Sequence, residues 1–200
     1  VFLVMITRLG IIKKVEPQNF EGVRRSGIIA IRLQKGDALK WVRISDKGDH
    51  VILATKQGKA IRFKESDTRP MGRNAAGVRA MKVGKKDELI GADVISAQEK
   101  NAHLLVMSSE GFGKKTNVKN YRLQRRGVSG VKTAKVTTKT GPVVSAKVIY
   151  PELEELIAIS QKGQVIRTEL KTIPELGRDT QGVRIMRLDA KDAIASLTCL

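Results

Sequence analysis

An all-β fold of the propeller class, built from four similar modules, is what this sequence predicts, and three observations predict it. Glycines recur in register: Gly10, Gly58, Gly111 and Gly163 form one series, and Gly27, Gly77, Gly130 and Gly182 a second. Successive members lie 48, 53 and 52 residues apart in the first series and 50, 53 and 52 in the second. Short apolar runs, β-branched or Leu-rich, flank the glycines as buried strands do. Basic residues repeat with the same period. Four strand-like runs in each unit of about fifty residues mark a radial array of four-stranded blades. The repeats span approximately 1–48, 49–100, 101–152 and 153–200, as one domain.

Each unit opens on a hairpin. Val51-Ile52-Leu53-Ala54-Thr55 leads through Lys56-Gln57-Gly58 into Lys59-Ala60-Ile61-Arg62-Phe63, and the other units turn at Arg8-Leu9-Gly10, Ser109-Glu110-Gly111 and Gln161-Lys162-Gly163. The glycine supplies the positive φ of a tight turn. A loop then reaches the second glycine, which begins a third strand, as in Gly77-Val78-Arg79-Ala80-Met81-Lys82-Val83 and Gly182-Val183-Arg184-Ile185-Met186-Arg187-Leu188. After a polar turn the fourth strand is expected over Leu39–Ile44, Leu89–Val94, Val143–Val148 and Ile194–Cys199. Aromatic content of 4% and the lack of a Trp-Asp dipeptide argue against the common protein-binding propellers, whose blades are shorter.

Thirty-eight Lys and Arg against twenty Asp and Glu leave a net charge of +18. Such self-repulsion persists most readily where a polyanion neutralises it. Nucleic acid fits best. No apolar run is long enough to span a bilayer and no basic amphipathic helix stands out, so no membrane partner is expected. The single cysteine, Cys199, suits a reducing cytoplasm. The chain starts at Val1 without a signal-peptide pattern, which reads as a domain boundary.

The charge is columnar. Four residues after the first glycine stand Lys14, Arg62, Lys115 and Arg167; five after the second stand Arg32, Lys82, Lys135 and Arg187. Two after the second stand Ile29, Arg79, Lys132 and Arg184. Solvated strand faces are often basic, but they mix signs, and these columns contain no acid. Equivalent positions in a ring form an arc of cations, the arrangement that bent duplex DNA needs, with phosphate contacts giving affinity without reading sequence. About eight such contacts predict a log–log salt slope of roughly −7. Few aromatics are available for stacking, so single strands fit less well.

Catalytic readings fail. Gly111-Phe112-Gly113-Lys114-Lys115 lacks the spacing of a phosphate loop and opens no helix. His50 and His103 occupy the same column of consecutive repeats and have no second cysteine, so neither a triad nor a zinc site is legible, and no metal is expected. Glu152, Glu154 and Glu155 read as a solvated loop.

Several motifs carry a resemblance. Arg62-Phe63-Lys64-Glu65-Ser66 followed by Met71-Gly72-Arg73-Asn74-Ala75-Ala76-Gly77-Val78-Arg79, then Gly113-Lys114-Lys115-Thr116 with Tyr121, and Gly177-Arg178-Asp179-Thr180-Gln181-Gly182-Val183 all resemble the C-terminal domain of bacterial DNA gyrase A subunits. Gln124-Arg125-Arg126-Gly127-Val128-Ser129-Gly130 matches that family's Gln-Arg-Arg-Gly-Gly-Lys-Gly box at five of seven positions, in the third repeat rather than the first. The resemblance covers essentially the whole chain. It implies a β-pinwheel, usually of six blades, so that about two N-terminal blades would lie outside this chain. It implies double-stranded DNA bent around a basic rim, with Arg73, Lys114, Arg125, Arg126 and Arg178 joining the DNA-binding set. Supercoiling would then be performed with the N-terminal core of the same gyrase polypeptide and with the gyrase B protein. The catalytic tyrosine, ATP and Mg2+ would belong to those parts, leaving this domain without a cofactor, in the bacterial cytoplasm at the nucleoid. The alternatives are the equivalent domain of topoisomerase IV and a propeller scaffold for acidic proteins.

Overall fold

The computed structural model describes residues 1–23 and 25–200. The first repeat supplies β1 (Phe2–Thr7), β2 (Ile11–Val15) and β3 (Leu39–Ser45); the second supplies β4 (His50–Thr55), β5 (Lys59–Lys64), β6 (Val78–Arg79) and β7 (Leu89–Ile95). The third supplies β8 (His103–Ser108), β9 (Phe112–Asn117), β10 (Val131–Lys132) and β11 (Val143–Ile149), and the fourth β12 (Glu155–Ser160), β13 (Val165–Glu169), β14 (Val183–Arg184) and β15 (Ile194–Cys199). The fourth strands end within one residue of expectation.

The third strand departs from expectation in two ways. It is only two residues long, and it leaves its own unit. β6 pairs with β2, β10 with β5 and β14 with β9, always on the sheet of the preceding repeat. The four sheets run β3-β1-β2-β6, β7-β4-β5-β10, β11-β8-β9-β14 and β15-β12-β13. At the inner edge, β3, β7, β11 and β15 pack on one another in chain order. The exchanged strand is therefore the outermost of its sheet, and residues 27–34 of the first repeat form no strand.

Glycine makes the exchange possible. The Gly58 carbonyl accepts the Thr133 and Ala134 N–H groups at 2.8 and 3.2 Å, and the Gly10 and Gly111 carbonyls accept the equivalent pairs from the second and fourth repeats. A Cβ on Gly58 would lie 2.5 Å from the Ala134 carbonyl oxygen, and one on Gly77 would lie 2.6 Å from that of Ile12, both at positive φ. Apart from Gly27 and Gly163, which have open space around them, the two glycine series thus record backbone-to-backbone contact between repeats as well as turn geometry.

Packing follows from strand alternation. Val51 and Leu53 of β4 join the core shared with sheet one, while Ile52 and Ala54 join the core shared with sheet three. Leu104 and Val106 of β8 face sheet two, while Leu105 and Met107 face sheet four. Covered on both faces, β4 and β8 read as continuous apolar runs. β12 buries Leu156 and Ala158 and leaves Ile159 exposed, the alternation of a sheet covered on one face.

Three members of the first cation column, Lys14, Arg62 and Lys115, belong to these seams, which corrects their assignment to the DNA face. Lys14 is 4% exposed and forms an ion pair with Glu65 of the next repeat. Arg62 donates to the Val118 carbonyl at 2.9 Å and Lys115 to the Leu170 carbonyl at 2.9 Å, so each base reaches a 3₁₀ turn in the repeat that follows. Arg62 also approaches His50 Nδ1 at 2.9 Å, and burial holds its pKa below the usual arginine value. Arg167, in the fourth repeat, is exposed and pairs with Glu155 at 2.6 Å. Lys114 is likewise internal. At 1% exposure it donates to the Gly177 and Arg178 carbonyls, both at 2.5 Å, and to Thr180 Oγ1 at 2.9 Å. Lys13 has the same role at an earlier seam, toward the Ala30 and Arg73 carbonyls. Burial costs an ammonium its hydration, so these lysines take carbonyl oxygens in exchange.

Two outcomes follow. Gly77→Ala should cost at least about 2 kcal/mol in urea unfolding, from left-handed φ plus overlap with Ile12. Gly27→Ala, with open space around it, should cost clearly less; equal losses would contradict the seam contact. Burial, opposed by Asp179 and reinforced by Arg178, pushes the Lys114 pKa down to about 8. The folded chain then loses this proton before the unfolded chain does, so the site contributes increasing stability as pH rises from about 8 toward 10.5. The stability difference between wild type and Lys114→Met should shift toward wild type across that window in chemical denaturation; a flat difference would contradict it.

Candidate nucleic-acid interface

The second cation columns lie where the exchanged strands put them. Arg79, Lys132 and Arg184 end β6, β10 and β14, on the outer edge of each sheet and away from the packed inner strands. All three are exposed. Arg32, Lys82, Lys135 and Arg187 are exposed as well, and the first three donate backbone N–H groups to the Ala75, Val128 and Thr180 carbonyls of the following repeat. The backbone of those three is tied down while the side chain is left to solvent. Cations fixed at the root and free at the tip suit a flexible polyanion contour, because little backbone ordering remains to oppose binding.

The loop before the second glycine closes each seam from outside. In the box-like loop the Gly127 N–H donates to the Ala80 carbonyl at 2.6 Å, and Gln124 N–H to that of Arg62 at 2.9 Å. Gly127 and Gly130 both hold positive φ. Arg126 straps this loop to the neighbouring sheet, donating through Nε to the Asp67 carbonyl at 2.9 Å and through Nη1 to the Arg79 carbonyl at 3.0 Å. Arg178 donates to the Lys132 carbonyl at 3.1 Å in the equivalent arrangement, four residues before its glycine, and Arg73 occupies that position in the second repeat. All three are half-buried, Arg126 and Arg178 tied to the seam by these bonds, while Arg125 is exposed.

The expected site residues therefore divide. Lys14, Arg62, Lys114 and Lys115 are committed inward, Arg167 is exposed beside Glu155, and the second-column cations remain outward. One acid intrudes: Asp179 Oδ2 lies 3.4 Å from Lys132 Nζ, both exposed, a pair of little energetic weight. Sequence reasoning missed another column. Lys35, Lys85, Lys86, Lys139 and Lys191 stand eight or nine residues after the second glycine, all exposed, and the counting that found the other columns finds these. Among the described residues no three His, Cys, Asp or Glu side chains come together as metal ligands, and His103 Nε2 instead contacts Glu175 at 2.8 Å.

Comparison with known proteins agrees with the repeat pattern. The profile of the family described as "DNA gyrase C-terminal domain, beta-propeller" matches four times, over residues 2–46, 49–96, 102–149 and 154–200. The chain is 40% identical over 195 residues to the DNA gyrase A protein of Ureaplasma parvum serovar 3, covering 98% of this chain and 23% of that protein. It is 38% identical over 187 residues to the DNA gyrase A protein of Staphylococcus aureus, covering 94% and 21%. It thus spans under a quarter of these relatives' length. A solved DNA gyrase A C-terminal domain superposes with a TM-score of 0.85 at 29% identity, covering 99% of this chain and 65% of that one. The C-terminal domain of a DNA topoisomerase IV superposes at 0.92 with 21% identity, covering 100% and 61%, a likeness of fold. With its exchanged outer strands and fourfold glycine register, the chain belongs to the DNA gyrase C-terminal domain family.

Proposed function

We propose that this chain binds double-stranded DNA along its outer rim and bends it, as the wrapping domain of a gyrase A protein. The observation that carries the reading is the exposed, single-sign series Arg79, Lys132 and Arg184 on the outermost strands, flanked by Arg32, Lys82, Lys135 and Arg187. Phosphate contacts from such side chains are indifferent to sequence, and several arranged on a curve offset the elastic cost of bending duplex DNA. With Lys14, Arg62 and Lys115 committed to the seams, the seven cations of the other two columns give an expected salt slope of roughly −6.

In the whole enzyme this wrap would present DNA to the N-terminal core of the gyrase A protein. Negative supercoiling would draw on ATP and Mg2+ handled by that core and the gyrase B protein, in the bacterial cytoplasm. Identity of 40% and 38% to gyrase A proteins supports gyrase over topoisomerase IV. A scaffold for acidic proteins would instead show a flat salt response toward duplex DNA.

Charge reversal at Arg79, Lys82, Lys132 and Lys135 together should leave the circular dichroism spectrum unchanged and lower affinity for unrelated duplex DNA at least about tenfold. Ligation of nicked circles with the wild-type chain bound should change their linking number. Undiminished affinity in the variant would place the DNA elsewhere, and an unchanged linking number would remove the chiral wrap.

A further inference from the structure

The cations of the second sheet are unlike those of its neighbours. On the outer pair of each sheet, β2–β6 sets Ile11 opposite Arg79 and β9–β14 sets Phe112 opposite Arg184, whose guanidinium lies 4.8 Å from the Phe112 ring centroid. Those cations rest on apolar neighbours. On β5–β10 the residue opposite Lys132 is Lys59. Directly opposed strand residues hold their Cβ atoms about 5 Å apart, and like charges so placed destabilise the pair. Lys59 also lines an open concavity with Lys82 and Lys86, both exposed.

Acids nearby do not discharge this group. Asp87 lines the same concavity, its Oδ1 held by the Gln57 and Glu88 N–H groups, and sets one negative charge against three lysines. Asp179 reaches Lys132 at 3.4 Å, and no other salt bridge to Lys59, Lys82, Lys86 or Lys132 is present among the described residues. Three lysines of the second repeat thus line one concavity, and Lys132 of the third stands across the β5–β10 pair from one of them, an arrangement that carries self-repulsion.

We propose that Lys59, Lys82, Lys86 and Lys132 form a focal phosphate-binding site on the second sheet, where the wrapped duplex is gripped most strongly. This rests on the DNA-binding reading above and assigns Lys59 and Lys86 to it. A phosphodiester oxygen entering the concavity neutralises repulsion that the free protein carries, so binding there gains more than at the isolated rim arginines.

The site has an opposed signature in stability and affinity. The double variant Lys59→Gln/Lys86→Gln should raise the thermal midpoint of the free chain. It should also weaken binding to a duplex of about 40 base pairs and arbitrary sequence at least about fivefold, and flatten the log–log salt slope by roughly 1.8, at about 0.9 per contact. Lys47→Gln/Lys100→Gln, which removes two exposed lysines from turns outside the group, is the control for net charge. Inorganic phosphate, as a competitor, separates a general anion site from one needing a continuous backbone. If the Lys59/Lys86 variant matches the control in slope and affinity while wild type binds DNA with a steep slope, this inference falls alone. If wild type shows no salt-dependent binding, the DNA reading falls with it.

Discussion

Everything in this molecule depends on a single kind of backbone contact, repeated from seam to seam: a hairpin glycine whose carbonyl accepts two N–H groups from the next repeat. At Gly58 those donors are Thr133 and Ala134, and the approach leaves no room for a side chain. The contact draws the following segment out of its own unit and onto the neighbouring sheet's outer edge. From that exchange come the covering of sheet edges, the continuity of the core and the outward display of Arg79, Lys132 and Arg184. An exposed edge strand invites unwanted pairing, and a two-residue strand carrying a cation caps it with little added chain.

The same seams explain why a highly basic chain folds at all. Some of its positive charge is held inside, where lysines would ordinarily be costly. Lys13 and Lys114 are enclosed by carbonyl oxygens, and Lys14 by a carboxylate. These groups satisfy loop carbonyls that no strand partner reaches, and breaking such a buried charge pair is far more costly than omitting it from the start. The side chains of Arg126 and Arg178 close the loops from the other side. The cations that remain outside are therefore a selected subset.

Much of the architecture was legible because strand periodicity and turn glycines are local signals. The positions of β7, β11 and β15 follow from apolar alternation after polar turns, and they appear within one residue of expectation. Strand exchange was not legible, since the two residues of β6 look the same whichever sheet receives them. For the same reason the two basic columns were indistinguishable in sequence. Lys115 and Lys135 are both lysines on a regular period, yet the first points at the Leu170 carbonyl and the second at solvent. Only tertiary context separates a charge satisfying a neighbour from one awaiting a ligand. The turn lysines such as Lys86 and Lys139 keep the same period, but a polar residue in a turn is ordinary and carries no signal of its own.

Lysine acetylation footprinting, read by mass spectrometry with and without duplex DNA at low salt, tests the central claim residue by residue. Lys82, Lys132 and Lys135 should react in the free chain and be protected when DNA is bound. Lys13, Lys14 and Lys114 should stay unreactive in both states, and Lys47 and Lys100 should react in both. Protection concentrated on Lys47 and Lys100, with Lys82, Lys132 and Lys135 still open, would contradict the outer rim as the DNA track.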